Sequence, residues 1–156
     1  MADLVAELEG IARLFDREGV EFALCGGLAV AVHGHVRATK DIDLLLPTAA
    51  RDAAITALSR LGFGLRAQPM TFGAGTPAER HIQRVSKAIG AELVTVDLIL
   101  VEPAFGQVWS GRQRFERAGT RLTVVSVAGL VAMKRLAGRN QDLADIEALE
   151  SIGEDG

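Results

Sequence analysis

The stretch Asp41-Ile42-Asp43-Leu44-Leu45-Leu46 constrains this chain more than any other. Its apolar positions Ile42, Leu44 and Leu46 alternate with Asp41, Asp43 and Leu45, and Pro47 follows, so it reads as a β-strand that stops at the proline. Alternation puts Asp41 and Asp43 on one face of that strand, with Cα atoms about 6–7 Å apart. Two carboxylates held so close repel, and a cation between them relieves the repulsion. Mg²⁺ suits the pair, being a hard ion usually bound by one or two carboxylates plus substrate phosphates.

Upstream, Val20 to Leu24 is short and β-prone and runs into Gly26-Gly27, after which Leu28 to His33 reads as a short helix closed by Gly34. With no side chains at Gly26 and Gly27, a phosphate could approach the backbone amides and the helix N-terminus. Downstream, Glu92 to Val101 reads as a strand in which Val94, Val96, Leu98 and Leu100 share one face and Thr95, Asp97 and Ile99 the other. Asp97 interrupts an otherwise apolar run, where a carboxylate is costly to bury unless paired or metal-bound. If its strand lies beside the Asp41–Asp43 strand, three carboxylates converge. Two-metal phosphoryl transfer uses such a set, with ions about 3.5–4 Å apart.

The remaining chain mixes helices and strands. A helix is expected from Asp3 to about Arg17, ended by Gly19, and another from about Ala50 to Leu61, capped near Thr48 and ended by Gly62. Residues 67–78, with Pro69, Gly73, Gly75 and Pro77, read as a mobile loop. Arg80 to Val85 and Glu92 to Val101 read as two strands joined near Gly90. A short helix near Phe105 to Trp109, a strand near Leu122 to Val125 and two C-terminal helices capped by Ser126 and Asn140 complete the order. Without regular βαβ units, α+β fits better than a doubly wound sheet. The expectation is one domain over residues 1–156, with the C-terminal helices of 126–151 packed on it.

Charge and cysteine content narrow the function classes. A net charge of −3 and a single cysteine, Cys25, give neither the footprint of a tight nucleic-acid binder nor a disulfide or zinc framework. Arg112, Arg114, Arg117 and Arg121, and then Lys134, Arg135 and Arg139, form local basic groups that read as solvated faces. The longest uncharged apolar-rich run, Leu122 to Met133, has 12 residues and cannot span a bilayer. Together with an acidic N-terminal stretch, this makes a cytoplasmic location the expectation.

A Gly-Gly turn, a gap of thirteen residues, Asp-hydrophobic-Asp and a lone Asp on a later strand resemble the DNA polymerase β-like nucleotidyltransferase superfamily. Within it, GGLAVAVHGHVRATKDIDLLL looks most like the AbiEii-type nucleotidyltransferases, and LVAMKRLAGRNQDLADIEAL matches the charged pattern of their last helices. The resemblance implies a nucleotidyltransferase fold, a mixed sheet flanked by helices with a short C-terminal helical pair. It implies that Asp41 and Asp43 hold the Mg²⁺ (or Mn²⁺) that escorts a nucleoside triphosphate. Asp97 would complete a second metal site and help deprotonate the acceptor hydroxyl. Gly26 and Gly27 would cradle phosphate, and Lys134 would reach a triphosphate oxygen as a point charge. Arg37 and Thr39 would touch phosphate or order the loop before Asp41, and Asp142 would assist activity.

The implied reaction moves a nucleoside monophosphate from an NTP, such as ATP, to an acceptor hydroxyl on RNA (a tRNA end, for instance) or protein, within a toxin–antitoxin pair. Compact antibiotic nucleotidyltransferases of the lincosamide kind share the Gly-Gly and Asp-hydrophobic-Asp pattern and give a small-molecule alternative. An idle fold acting as a binding or antitoxin module is a third. Blander readings cover other residues: Cys25 as a small buried hydrophobe, Trp109 and Phe105 as core, His33 and His35 as loop histidines, Arg139 and Asp145 as a surface charge pair or cap.

Overall fold

The computed structural model of the chain describes residues 2–117, 119–138 and 140–155. Helix α1 (Leu4–Glu18) is set by its boundaries and its stripe. Asp3 accepts from the Ala6 amide at the N-terminus, Gly19 takes a left-handed conformation at the C-terminus, and Leu8, Ile11, Ala12, Leu14 and Phe15 form the buried face. It leads to β1 (Ala23–Cys25), α2 (Gly26–Val32) and β2 (Asp41–Leu46). A single 3₁₀ turn, Thr48–Ala50, then precedes α3 (Arg51–Arg60).

Thr48 does not cap α3 as expected. Its amide and hydroxyl both donate to Glu102, and the residue before the helix is Ala50, which has no capping side chain. Next come β3 (Leu65–Arg66), β4 (Met70–Phe72), β5 (Arg80–Ile89), β6 (Glu92–Leu100), α4 (Gly106–Ser110), β7 (Gln113–Arg117) and β8 (Thr120–Val124). Helices α5 (Val127–Ala137) and α6 (Asn140–Asp155) follow. Ser126 caps α5 by accepting from the Gly129 amide, as expected; the Asn140 side chain and Arg139 lie outside the description.

Three strands depart from the sequence reading. The expected loop of 67–78 contains β4, which pairs antiparallel with β5, so the Pro and Gly residues mark the ends of a strand there. Strands β3 and β7 were also unexpected: each is short and largely exposed, and Arg114 and Arg121 belong to the β7–β8 hairpin. Such edge strands are held by backbone pairing and little core burial, so they carry no apolar signature.

Among the described residues the sheet has the order β3-β5-β6-β2-β1-β8-β7, with β4 beside β5. Strand β2 is central, parallel to β6 and antiparallel to β1. Ile42 faces Val96 and Leu44 faces Leu98 across the β2–β6 pair, and all four are fully buried. That apolar face anchors the register, because a one-residue slip would turn every carboxylate into the core. Helix α1 packs on β2, β8 and α3, while α5 packs on α2, α4 and α6. The architecture is α+β, a mixed sheet flanked by helices and closed by the C-terminal helical pair. No helix among the described residues is long and apolar enough to cross a membrane.

Candidate active site

The register gathers four polar side chains into one row across the sheet. Cys25 lies opposite Asp43, Asp43 opposite Asp97, and Asp97 opposite Arg84. Asp41, two residues before Asp43, shares the same face. Its carboxyl is raised above the ordinary range, first by burial and then by the charge on Asp97, with Arg84 and Lys40 acting in the opposite sense. The three aspartates expected from sequence therefore share a face on adjacent strands.

Gly26 explains how Asp43 is held. The residue has φ near +68°, and an added Cβ would overlap the Asp43 carboxylate. Only glycine supplies both the conformation and the space. At Gly27 a Cβ would lie 2.8 Å from Thr39 Oγ1 and 3.2 Å from Arg37 Nη1. The two glycines thus let β2 and the segment before it close over the start of α2, placing Arg37, Thr39 and Asp43 around one short backbone stretch. Beside it runs a shallow open cleft lined by Leu4, Val5, Leu28, Arg37 and Thr39. A second shallow cleft, between Glu18 and α3, is remote from the carboxylates.

Asp97 has a partner that sequence reasoning missed. Arg84 Nε donates to Oδ1 at 2.8 Å and Arg84 Nη2 to Oδ2 at 3.0 Å, a two-point guanidinium–carboxylate pair. Asp97, with Asp41 and Asp43 behind it, pushes the Arg84 guanidinium still further toward the charged form, only partly offset by burial. Among the described residues, no three His, Cys, Asp or Glu side chains stand close enough together to hold a metal ion. Among the described residues, the expected convergence of three carboxylates is met in register but not as a closed cluster, and Asp97 is paired instead with Arg84.

The tail residues form a separate assembly. Asp145 is 1% exposed, and its carboxylate accepts from Arg37 Nε and Nη2 and from Lys134 Nζ. Lys134 Nζ also stands 3.7 Å from Asp142, which is likewise buried. Burial alone would raise the Asp145 pKa; the hydrogen bonds from Arg37 and Lys134 outweigh it and lower the value. The surface-pair reading of Asp145 is corrected, because the side chain turns inward to meet two cations. Lys134 and Asp142, expected near nucleotide, lie inside the α5–α6 pair, and Arg37, in the loop before Asp41, donates to Asp145 and to the Ala38 carbonyl. His33 supports the same junction by donating from Nε2 to the Val125 carbonyl at 2.8 Å.

Cys25 matches its bland reading. It is 1% exposed, and burial first, then Asp43, raise its thiol pKa well above normal. Phe105 is core as expected, whereas Trp109 is half-buried with the Arg112 guanidinium 4.0 Å above its ring.

No family model matches the sequence, and no curated protein matches it. Solved structures do. An antigenic nucleotidyltransferase-like protein from Paracoccidioides brasiliensis superposes with a TM-score of 0.62 at 17% identity, over 92% of this chain and 73% of that one. The chain has a nucleotidyltransferase fold. A protein of Thermotoga maritima assigned as a nucleotidyltransferase gives a TM-score of 0.62 at 15% identity, over 98% and 94%. The structure of ANT(2")-Ia in complex with adenylyl-2"-tobramycin gives 0.57 at 15%, over 96% and 94%. Identities this low establish the nucleotidyltransferase fold and leave substrate and activity to the site.

Proposed function

We propose that the chain is a metal-dependent nucleotidyltransferase that moves a nucleoside monophosphate from an NTP to an acceptor hydroxyl and releases pyrophosphate. One observation carries the reading: Asp43 sits opposite Asp97 on parallel strands, with Asp41 on the same face and Gly26 shaped around the Asp43 carboxylate. The Asp41 carboxyl is raised first by burial and then by the Asp97 charge, and a cation bound beside it would offset both.

The donor set fits one hard divalent ion. Asp41 and Asp43 would hold Mg²⁺ or Mn²⁺, which when bound supplies charge neutralisation for the triphosphate. Gly26 and Gly27 keep side chains away from the turn where phosphate would approach. Thr39, against Gly27, lines the adjoining cleft with Arg37. Arg84 occupies two of the roughly four lone-pair positions on Asp97. The others remain to accept a hydrogen bond from the acceptor hydroxyl and orient it for in-line displacement at the α-phosphorus.

Two acceptor classes follow. The AbiEii-like motifs favour RNA, such as a tRNA end, or a protein side chain, in a toxin restrained by a cognate antitoxin. The small-molecule reading gains from the match to nearly the full length of ANT(2")-Ia, whose structure contains an adenylylated aminoglycoside. The test is incubation with each α-labelled NTP and Mg²⁺ plus total tRNA, a cell extract or an aminoglycoside, for wild type beside Asp43→Asn. Label entering one acceptor class with wild type alone supports the reading and selects the class. No transfer under any condition would leave an idle, antitoxin-like binding module as the account.

A further inference from the structure

Arg84 is the one charged group in the carboxylate row that the proposed reaction leaves without a part. Its position is fixed by architecture. Strands β5 and β6 form a tight hairpin in which Ile89 pairs with Glu92 around Gly90 and Ala91, and this register sets Arg84 directly across from Asp97. Side-chain geometry completes the contact, with both Asp97 oxygens engaged by two separate guanidinium nitrogens at 2.8 and 3.0 Å. The Asp97 side chain is 12% exposed and the Arg84 side chain 43%, so the pair sits at the rim of the site with its carboxylate end turned inward.

A guanidinium in this place has a specific consequence. It cannot lose its proton, so a second divalent ion coordinated to Asp97 would meet a permanent positive charge and oxygens that each already accept one hydrogen bond. Further charges facing the row include Lys40 beside Asp41 and, from α5, Lys134 near Cys25, and both add to the positive potential. The absence of a closed three-ligand cluster among the described residues agrees with this arrangement. We infer that Arg84 takes the place of a second cation, so that the centre binds one divalent ion, at Asp41 and Asp43, with the guanidinium supplying the remaining positive charge at Asp97. The inference rests on the nucleotidyltransferase reading above and refines its metal requirement.

The test counts bound ions rather than turnover. The full chain is titrated with Mn²⁺ in the presence of a saturating α,β-methylene NTP analogue, free Mn²⁺ is read by electron paramagnetic resonance, and ions bound per chain are compared with a nucleotide-only control. Wild type is expected to bind one Mn²⁺ and Arg84→Gln two, while Arg84→Lys, which keeps the charge, stays at one. Thermal unfolding of each variant verifies that it is folded, and the wild-type count decides the matter even if Arg84→Gln is not. Two ions on wild type, or one on folded Arg84→Gln, would overturn the role of Arg84 and leave the nucleotidyltransferase reading standing. No ion on any form would remove both.

Discussion

Two clusters of charge lie within this small chain, and they are built on opposite plans. In the sheet row, Asp41, Asp43 and Asp97 share a face with the Arg84 guanidinium, which pairs with Asp97, with Lys40 at the margin, and the group is only partly buried. Between α5, α6 and the loop before β2, Arg37 and Lys134 meet Asp142 and Asp145, two cations against two anions, with both aspartates and the lysine buried. The second cluster is balanced and therefore complete. The first brings three carboxylates to an accessible rim beside Arg84, an arrangement that a divalent cation and its ligand would complete. Charge balance, rather than the presence of acidic residues, separates a candidate site from a structural fastening.

Substitutions can break that contrast. Asp43→Asn, at the centre of the unbalanced row, should lower nucleotidyl transfer by roughly two to four orders of magnitude while changing stability little; paired transfer assays and melting curves check both halves. Asp145→Asn, in the balanced cluster, should do the reverse. It leaves Arg37 and buried Lys134 short of an anion and should destabilise the fold by about 3 kcal/mol, read from urea unfolding. Because the folded pKa of Asp145 is depressed, its stabilising contribution is present above the unfolded value and is lost as pH falls through the folded one.

Gly26→Ala should affect both properties at once. A left-handed backbone and a Cβ overlapping Asp43 predict a loss of roughly 1–3 kcal/mol together with weakened Mn²⁺ affinity, measurable by unfolding and metal titration. The smallest effect on stability is expected at Asp41. Its raised pKa means that the ionised carboxylate opposes folding above that pKa and that the penalty fades as pH falls through it. Asp41→Asn should therefore raise the metal-free melting temperature by roughly 1–3 °C at neutral pH and by progressively less as pH falls through the folded pKa, while abolishing metal binding.

Much of the unbalanced row was legible in the sequence, and the balanced cluster was not. The alternation of Ile42, Leu44 and Leu46 with Asp41 and Asp43 fixes a strand and a face, and an isolated Asp97 among valines and leucines draws attention because burying it is costly. Arg84 carries no such signal, since an arginine in an alternating strand is ordinary; only its partner makes it informative. A signal did exist. Counting back residue for residue from the Gly90 turn sets Arg84 opposite Asp97, so the pair was available from hairpin register. Asp145 was misread for a different reason. In helix α6, Asp142 and Asp145 stand at helical spacing with Ile146 and Leu149, and all four are buried, so the stripe marks the inward acids; what it does not reveal is their cationic partners, Arg37 and Lys134, which come from elsewhere in the chain. Strands β3, β4 and β7 were missed because paired edges need backbone partners rather than apolar side chains.

The central claim is that the excess charge of Asp41 and Asp43 exists to hold a divalent ion with a nucleoside triphosphate. Thermal unfolding with Mg²⁺ and each NTP, separately and together, for wild type and Asp43→Asn tests it most directly. Ligand at a hundred times its Kd adds about 2.7 kcal/mol, so wild type should melt several degrees higher with the ion and one NTP combined, and Asp43→Asn should not respond. A wild type that ignores every combination, or a variant that responds equally, would contradict the account.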